Sequence, residues 1–276
     1  MKYADLHIHT NFSDSTFSVR EVVQRAKSLG LSCISICDHD TVQALDECKR
    51  FCQLEGIDFV PGIELTCQYK NQEIHILGYF VDYNDNELCR ILDSLREQRR
   101  QRIYAISQKL KSLGVALEPE EILSSVSPQA AVGRLHVAQA LVKKKIVTSL
   151  KEAFLRFIGE KAPGYVARFR FSPQEGISIL RRARALPVLA HPFKSHCDPI
   201  IPDLVENGLE GIEVFYPEHS PQIIEYYMHL AQKYGLLITG GSDCHGLAKK
   251  KILMGEIKLP YRYVEKLKLR HRELYG

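Results

Sequence analysis

No apolar run in these 276 residues approaches the roughly 18 that a membrane-crossing helix needs. A soluble protein with no membrane contact is therefore expected. The opening "MKYADLHIHT" has neither an apolar core nor a small-residue cleavage site, so no secretory leader is expected and a cytoplasmic location is. Paired C-x-x-C spacing is lacking too. The eight cysteines (Cys33, Cys37, Cys48, Cys52, Cys67, Cys89, Cys197, Cys244) are too scattered for a disulfide scaffold and read as free thiols. Strong charge of either sign is missing: 37 basic against 33 acidic residues leave a net +4, which permits an anionic substrate without requiring one. The main basic cluster, "LREQRRQR" at 95–102, has helical periodicity; such a run is usually a solvated face, with nucleotide contact as the alternative.

What is present is an ordinary globular composition, 45% hydrophobic and 25% charged, long enough for one large domain or one domain with an insertion. Short apolar runs recur, each ending in a titratable residue and followed by a helix-like stretch. "YADLHIHTNFSD" carries His7, His9 and Asp14, "SCISICDHD" leads to His39, "FVPGIELT" to Glu64 and "PVLAHPF" to His191. "GIEVFYPEH" leads to Glu213 and His219, and "LLITGGSDCHG" to Asp243 and His245, while "EIHILGYF" holds His75 inside its strand. In an extended strand His7 and His9 share a face, with Asp5 beside them. Helices are signalled between the strands: a capping box from Ser18 to Glu21 ahead of a stop at Gly30, a start at Thr41 with a stop at Gly56, and Pro173 at a first helical position. Alternating strands and helices predict an α/β protein, a TIM-like (β/α)7 barrel of parallel βαβ units, with its site at the C-terminal strand ends. From 97 to 168 only helical patterns appear, which divides the chain into a barrel of residues 1–96 and 169–276 and a helical insertion of 97–168 over the cleft.

Nine strand-end groups stand out: His7, His9, Asp14, His39, Glu64, His75, His191, Asp243 and His245. One ion takes four to six ligands, so two or three ions are needed to use them. A single histidine at a strand end is most often a hydrogen-bonded structural residue; six at the ends of different strands are not explained that way. The thiolate-free nitrogen and oxygen set suits manganese, iron or zinc. Glu64 and Asp243 are natural bridges, and Cys244 alternates away from its neighbours. Three carboxylates offset only half the charge of three divalent ions, which leaves a field suited to phosphate. Arg134, in "GRLHVAQAL", can fork onto a phosphate, with His136 beside it. His219 is a candidate substrate contact or proton donor, and Tyr165, Arg168 and Lys194 are further anion candidates. His196, His229 and His271 read as structural or solvated.

The motifs "DLHIHTNFSD", "CDHDT", "PGIELT", "LAHPF" and "GSDCHG", in this order over nearly the whole chain, resemble the polymerase and histidinol phosphatase (PHP) family. The insertion with "GRLHVAQAL" and the later "GIEVFYPEHSP" are similar to its nucleoside 3′,5′-bisphosphate phosphatase branch, whose members also trim RNA from the 5′ end. The resemblance implies a distorted seven-stranded barrel with three divalent ions, most often Mn2+, with Fe2+ or Zn2+ as alternatives. One ion would take His7, His9, Glu64 and Asp243, a second Glu64, His75 and His191, a third Asp14, His39 and His245. Arg134 and His219 match substrate-holding positions. Ser15 stands where the family usually has glycine and Cys37 where it has threonine, and "EKAPGYV" replaces a more glycine-rich segment. The expected chemistry is hydrolysis of a phosphomonoester by a hydroxide bridging the ions, with Asp14, Glu64, Asp243 and His219 as catalytic residues and Arg134, His136, His219 and Lys194 as substrate contacts. The expected partner is a nucleotide bisphosphate or short oligonucleotide, and no obligate protein partner is evident. Alternatives are a histidinol-phosphate or other small-metabolite phosphatase, an oligonucleotide phosphodiesterase, and a non-catalytic PHP module.

Overall fold

Short runs of aliphatic residues become strands because their alternation buries one or both faces, and the amphipathic stretches between them become helices. The computed structural model of the chain describes residues 2–70, 72–126, 130–167, 171–248 and 251–276. In chain order the elements are β1 (Tyr3–Ile8), α1 (Val19–Ser28), β2 (Cys33–Ile36), α2 (Leu45–Glu55), β3 (Asp58–Tyr69), β4 (Gln72–Tyr79) and α3 (Asn86–Ser112). Then come α4 (Pro119–Leu123), α5 (Arg134–Lys143), α6 (Leu150–Ala153), a π-helical turn (Phe154–Ile158), α7 (Pro173–Arg182), β5 (Leu186–Leu189) and α8 (Pro192–Ser195). The chain ends with α9 (Ile201–Glu206), β6 (Gly211–Phe215), α10 (Pro221–Tyr234), β7 (Leu237–Gly240), β8 (Leu259–Pro260) and α11 (Arg262–Tyr275).

Among the described residues one sheet runs in the order β7-β6-β5-β4-β3-β2-β1-β8. Neighbours β1, β2 and β3 are parallel, as are β5, β6 and β7. The segment after β7 returns to β1: the Asp243 N–H donates to the His7 carbonyl at 2.8 Å and the His9 N–H to the Cys244 carbonyl at 3.1 Å. These bonds nearly close the sheet into a barrel at the end where the site residues gather. The distortion of the barrel lies at β4, which is antiparallel to both β3 and β5 and interrupts the run of parallel units. Only positions 70 and 71 separate β3 from β4, too few for the crossover that a parallel pair requires. As a result the 12-residue β3 overshoots the barrel rim, and Glu64 sits mid-strand rather than at a strand end.

The local signals act as expected at α1, where Ser18 and Glu21 form a reciprocal capping box, and at α7, where Ser172 and Glu175 do the same ahead of Pro173. Helix α2 starts at Leu45, not Thr41, because the preceding residues form the loop that carries His39 and Asp40. The 27-residue α3 joins two apolar cores. Leu88, Leu92 and Leu95 pack with the barrel helices, whereas Ile103, Ile106 and Leu110 pack with Ile122, Val137, Leu141 and Ile158. Position 97, where the sequence pattern suggests a boundary, falls inside this continuous helix.

Candidate metal centre

The site is built from the ends of β1, β2, β5 and β7 and from the facing pair β3–β4. Alternation along β1 turns His7 and His9 to one side, both fully buried, with Nε2 atoms 3.2 Å apart. Asp5, expected on their face, lies one layer below: its Oδ1 accepts from the Ser242 N–H at 2.9 Å, and burial lifts its carboxyl to about 6. Glu64 is the centre of the cluster. Its Oε1 lies 2.8 Å from His75 Nδ1 and 3.1 Å from His191 Nε2. Its Oε2 lies 3.0 Å from His39 Nδ1, 3.3 Å from His9 Nε2 and 3.4 Å from His7 Nε2. His245 Nε2 faces Asp14 Oδ1 at 3.2 Å, and His9 Nε2 faces Asp243 Oδ1 at 3.1 Å.

Three groups offer ligand atoms within 4.8 Å of one another: His9, Asp14, His39 and His245; His7, His9 and Asp243; and His39, Glu64 and His75. These groups pair His9 with Asp14 and His39 with Glu64, links that the sequence pattern did not suggest. All nine residues singled out from the sequence meet in this one cluster, His191 through its contact with Glu64.

The donor set fits divalent cations. Glu64 Oε2, Asp14 Oδ1, His39 Nδ1 and His191 Nδ1 are buried without a well-formed hydrogen bond among the described residues. Lone pairs that converge this way repel one another unless positive charge lies between them. Without an ion that charge falls to protons. Burial pulls His9 down, but hydrogen bonds and charge from Asp243 and Glu64 outweigh it and raise the imidazole to about 9. His75 likewise rises to about 9 against burial, through Glu64 and Glu73. Burial wins at His39, which falls to about 3. Burial alone would lift Glu64 and Asp14, yet the surrounding imidazoles hold both well below the usual carboxylate range.

Outside this cluster lie several residues to which the sequence pattern assigned no role, Glu213 among them although it was noted at a strand end. Glu213, fully buried on β6, accepts from His7 Nδ1 at 3.0 Å and from the His191 backbone N–H at 2.8 Å. A carboxylate can only accept, so the His7 proton sits on Nδ1 and Nε2 is left to face the cluster. The same logic applies to His245, whose Nδ1 donates to the Asp243 carbonyl at 2.8 Å. Asp38 accepts from the Thr10 N–H at 2.7 Å and from the Thr10 and Ser13 hydroxyls, which ties the first two site loops together. Tyr216 donates to Asp243 Oδ2 at 3.0 Å. Asp40, His191 and Asp243 hold left-handed backbones at φ 52°, 27° and 48°, a conformation that residues with a Cβ disfavour and that clusters at functional sites. Glu213 was visible as a polar residue in an apolar strand, but its partners are more than 20 residues away in sequence.

The substrate candidates are distributed around the cluster. Arg134 shares a cleft of about 150 Å3 with Asp14, His39 and Glu73. Its guanidinium stands over the Phe154 and Tyr165 rings at 5.8 and 5.6 Å, with Glu73 Oε2 at 4.0 Å. His136 accepts from the Gly133 N–H through Nδ1 at 3.0 Å, and burial lowers its affinity for a proton. Lys194 Nζ lies 3.9 Å from Asp243 Oδ2. His219 donates through Nδ1 to the Val214 carbonyl at 2.9 Å, and its buried ring packs on Tyr216, Tyr227 and Phe193. Arg168 lies outside the described residues. The basic run at 95–102 is not simply a solvated face: Arg102 is buried, and Arg99, 11% exposed, pairs with Asp40, so both line the Arg134 cleft.

Several known proteins are similar to this chain along most of its length. The 3′,5′-nucleoside bisphosphate phosphatase of Chromobacterium violaceum is 27% identical over 250 residues, covering 89% of this chain and 88% of that protein. The 5′-3′ exoribonuclease Rnm of Escherichia coli is 28% identical over 250 residues, covering 87% and 84%. The phosphoribosyl 1,2-cyclic phosphate 1,2-diphosphodiesterase of Eggerthella lenta is 27% identical over 250 residues, covering 88% and 94%. Among solved structures, a Bifidobacterium adolescentis protein described as a metal-dependent phosphoesterase superposes with a TM-score of 0.90 at 28% identity, covering 98% and 96% of the two chains. The PHP domain itself matches residues 5–162, more than half of the chain. With the nine-residue cluster and the near-closed barrel, that match shows that the chain belongs to the PHP-domain family.

Proposed function

We propose that this PHP-domain protein is a metal-dependent phosphoesterase that removes the 3′-phosphate of nucleoside 3′,5′-bisphosphates, with short 5′-phosphorylated oligonucleotides as related substrates. The observation that carries the reading is the position of Arg134. Its guanidinium, held on two aromatic faces, shares one cleft with Asp14 and His39, so a phosphate at the cluster leaves room for a second phosphate at the arginine. A single-phosphate metabolite has no use for that second position.

In this reading His7, His9, Glu64 and Asp243 hold one ion, Glu64, His75 and His191 a second, and Asp14, His39 and His245 a third. Glu64 would stand between these groups, its Oε1 facing His75 and His191 and its Oε2 facing His39, His9 and His7. Divalent ions so held, Mn2+ in our reading, supply Lewis acidity and an acidified water. Arg134 clamps the distal phosphate bidentately, with His136 beside it. Lys194, next to Asp243, balances phosphoryl charge, and His219 donates a proton to the leaving oxygen through Nε2, the nitrogen left without a partner among the described residues.

The test is phosphate release, with manganese added, from adenosine 3′,5′-bisphosphate, 3′-AMP, 5′-AMP and histidinol phosphate. The bisphosphate should be strongly preferred. Arg134→Ala should raise KM for it by roughly tenfold or more while kcat changes little, since the arginine binds ground and transition states alike. Turnover of histidinol phosphate alone would overturn the substrate assignment, and wild-type rates in Asp243→Asn would overturn the ion assignment.

A further inference from the structure

At the start of β4, alternation sets Glu73 and His75 on the same face. The sequence pattern gave a role to the histidine and none to the carboxylate. In the structure the two side chains meet, with Glu73 Oε1 3.1 Å from His75 Nε2. A carboxylate can only accept, so when His75 keeps one proton it sits on Nε2, and Nδ1 is left to face Glu64 Oε1 at 2.8 Å. Glu73 thus does for His75 what Glu213 does for His7, but from a different position. Glu213 is sealed inside the barrel, whereas the Glu73 side chain is 33% exposed and lines the Arg134 cleft.

Its second oxygen faces the substrate side. Glu73 Oε2 lies 4.0 Å from Arg134 Nη2, too long for a hydrogen bond but close enough for attraction between the charges. Arg134 is the first residue of α5, where the helix dipole adds positive potential, and that first turn holds no acidic residue. The other carboxylates nearby are engaged elsewhere: Asp14 faces His245 and His39, and Asp40 pairs with Arg99. Among the described residues Glu73 is therefore the carboxylate that balances Arg134 before a phosphate arrives. A phosphate forking onto Arg134 brings two short charge-assisted bonds in place of one long ion pair, and it meets the Glu73 charge as it does so. The carboxylate and the phosphate compete for one guanidinium.

We propose that Glu73 is a positioning residue with two tasks: through Oε1 it turns the ligating nitrogen of His75 toward the ions, and through Oε2 it holds Arg134 until a distal phosphate displaces it. The second task rests on the bisphosphate reading above, and the first rests on the metal centre alone. Removing the charge sets the two tasks against each other. Glu73→Gln keeps the shape and an acceptor oxygen, but it weakens the anchor of His75 and releases Arg134. Metal affinity falls while affinity for the distal phosphate rises. A residue that merely fills space does not move these two quantities in opposite directions.

The experiment measures manganese affinity of the metal-free protein by competitive titration, and KM at saturating manganese for adenosine 3′,5′-bisphosphate and for 3′-AMP, in the wild type and in Glu73→Gln. Native circular dichroism checks that the variant folds. Manganese affinity should fall roughly tenfold or more. KM for the bisphosphate should fall about threefold, and KM for 3′-AMP, which has no distal phosphate, should not follow. Unchanged manganese affinity would overturn the first task. A bisphosphate KM that stays or rises, or that falls equally for 3′-AMP, would overturn the second. A wild type with no preference for the bisphosphate would instead remove the reading beneath the second task, and the titration would still decide the first.

Discussion

Glu213 shows how much of this centre depends on a residue that touches none of the facing lone pairs. It is fully buried, holds the His7 proton on Nδ1 and accepts the His191 backbone N–H. Glu213→Gln keeps the shape but removes the charge that anchors the imidazole. Metal affinity should fall roughly 10–100-fold, measured by competitive metal titration; an unchanged affinity would relegate Glu213 to core packing. Protons should move with the metal as well. His9 and His75, held near 9 in the ion-free cluster, must lose their protons to ligate. Loading at pH 7.5 should therefore release protons, seen as a binding heat that differs between buffers of different ionisation enthalpy. Equal heats in both would count against ligation by these two imidazoles.

At the scale of elements, the decisive joint is where the segment after β7 meets β1. A Cβ on Gly241 would lie 2.3 Å from the His7 backbone nitrogen and 2.4 Å from its Cβ, and a backbone cannot yield as a flexible side chain would. Gly241→Ala should cost about 1–3 kcal/mol in urea unfolding and weaken metal binding, because the displaced strand carries His7 and His9. An alanine variant with native stability would mean that the barrel seam is looser than the hydrogen bonds across it indicate. The β3–β4 hairpin is the other element that shapes the site. Its reversal brings His75 into line with Thr66, so that an imidazole inside a strand, rather than at its end, reaches Glu64.

For the whole molecule, the cluster draws on strands and loops from residue 7 to residue 245, so ions held there tie the two ends of the barrel together. Chelation should lower Tm by on the order of 10 °C relative to saturating manganese, the equivalent of roughly 3–4 kcal/mol when free metal exceeds Kd by several hundredfold. The metal-free protein should also respond to pH in a defined direction. A histidine raised in the folded state stabilises fully below its unfolded value near 6.5 and loses that contribution as pH rises through its folded value. Thermal melts of the chelated protein should therefore fall between pH 6.5 and 9, where His9 and His75 give up their protons. The metal-loaded protein should not follow, since the ions replace those protons. A chelated protein with a flat profile across this window would contradict the charge balance described for the cluster.

Ligand types and their faces were legible from the sequence because side-chain alternation and helix capping are local. The spacing of His7 and His9, the capping boxes of Ser18 and Ser172, and the five family motifs all follow from neighbours in the chain. Strand direction and the partnering of nitrogens are set instead by hydrogen bonds and packing between distant segments. No local pattern reports that Glu213 serves His7 or that Arg99 turns inward to Asp40. The sequence alone determined which groups would meet in one cluster; only the tertiary structure decided which atoms face one another, because those distances arise when the barrel closes.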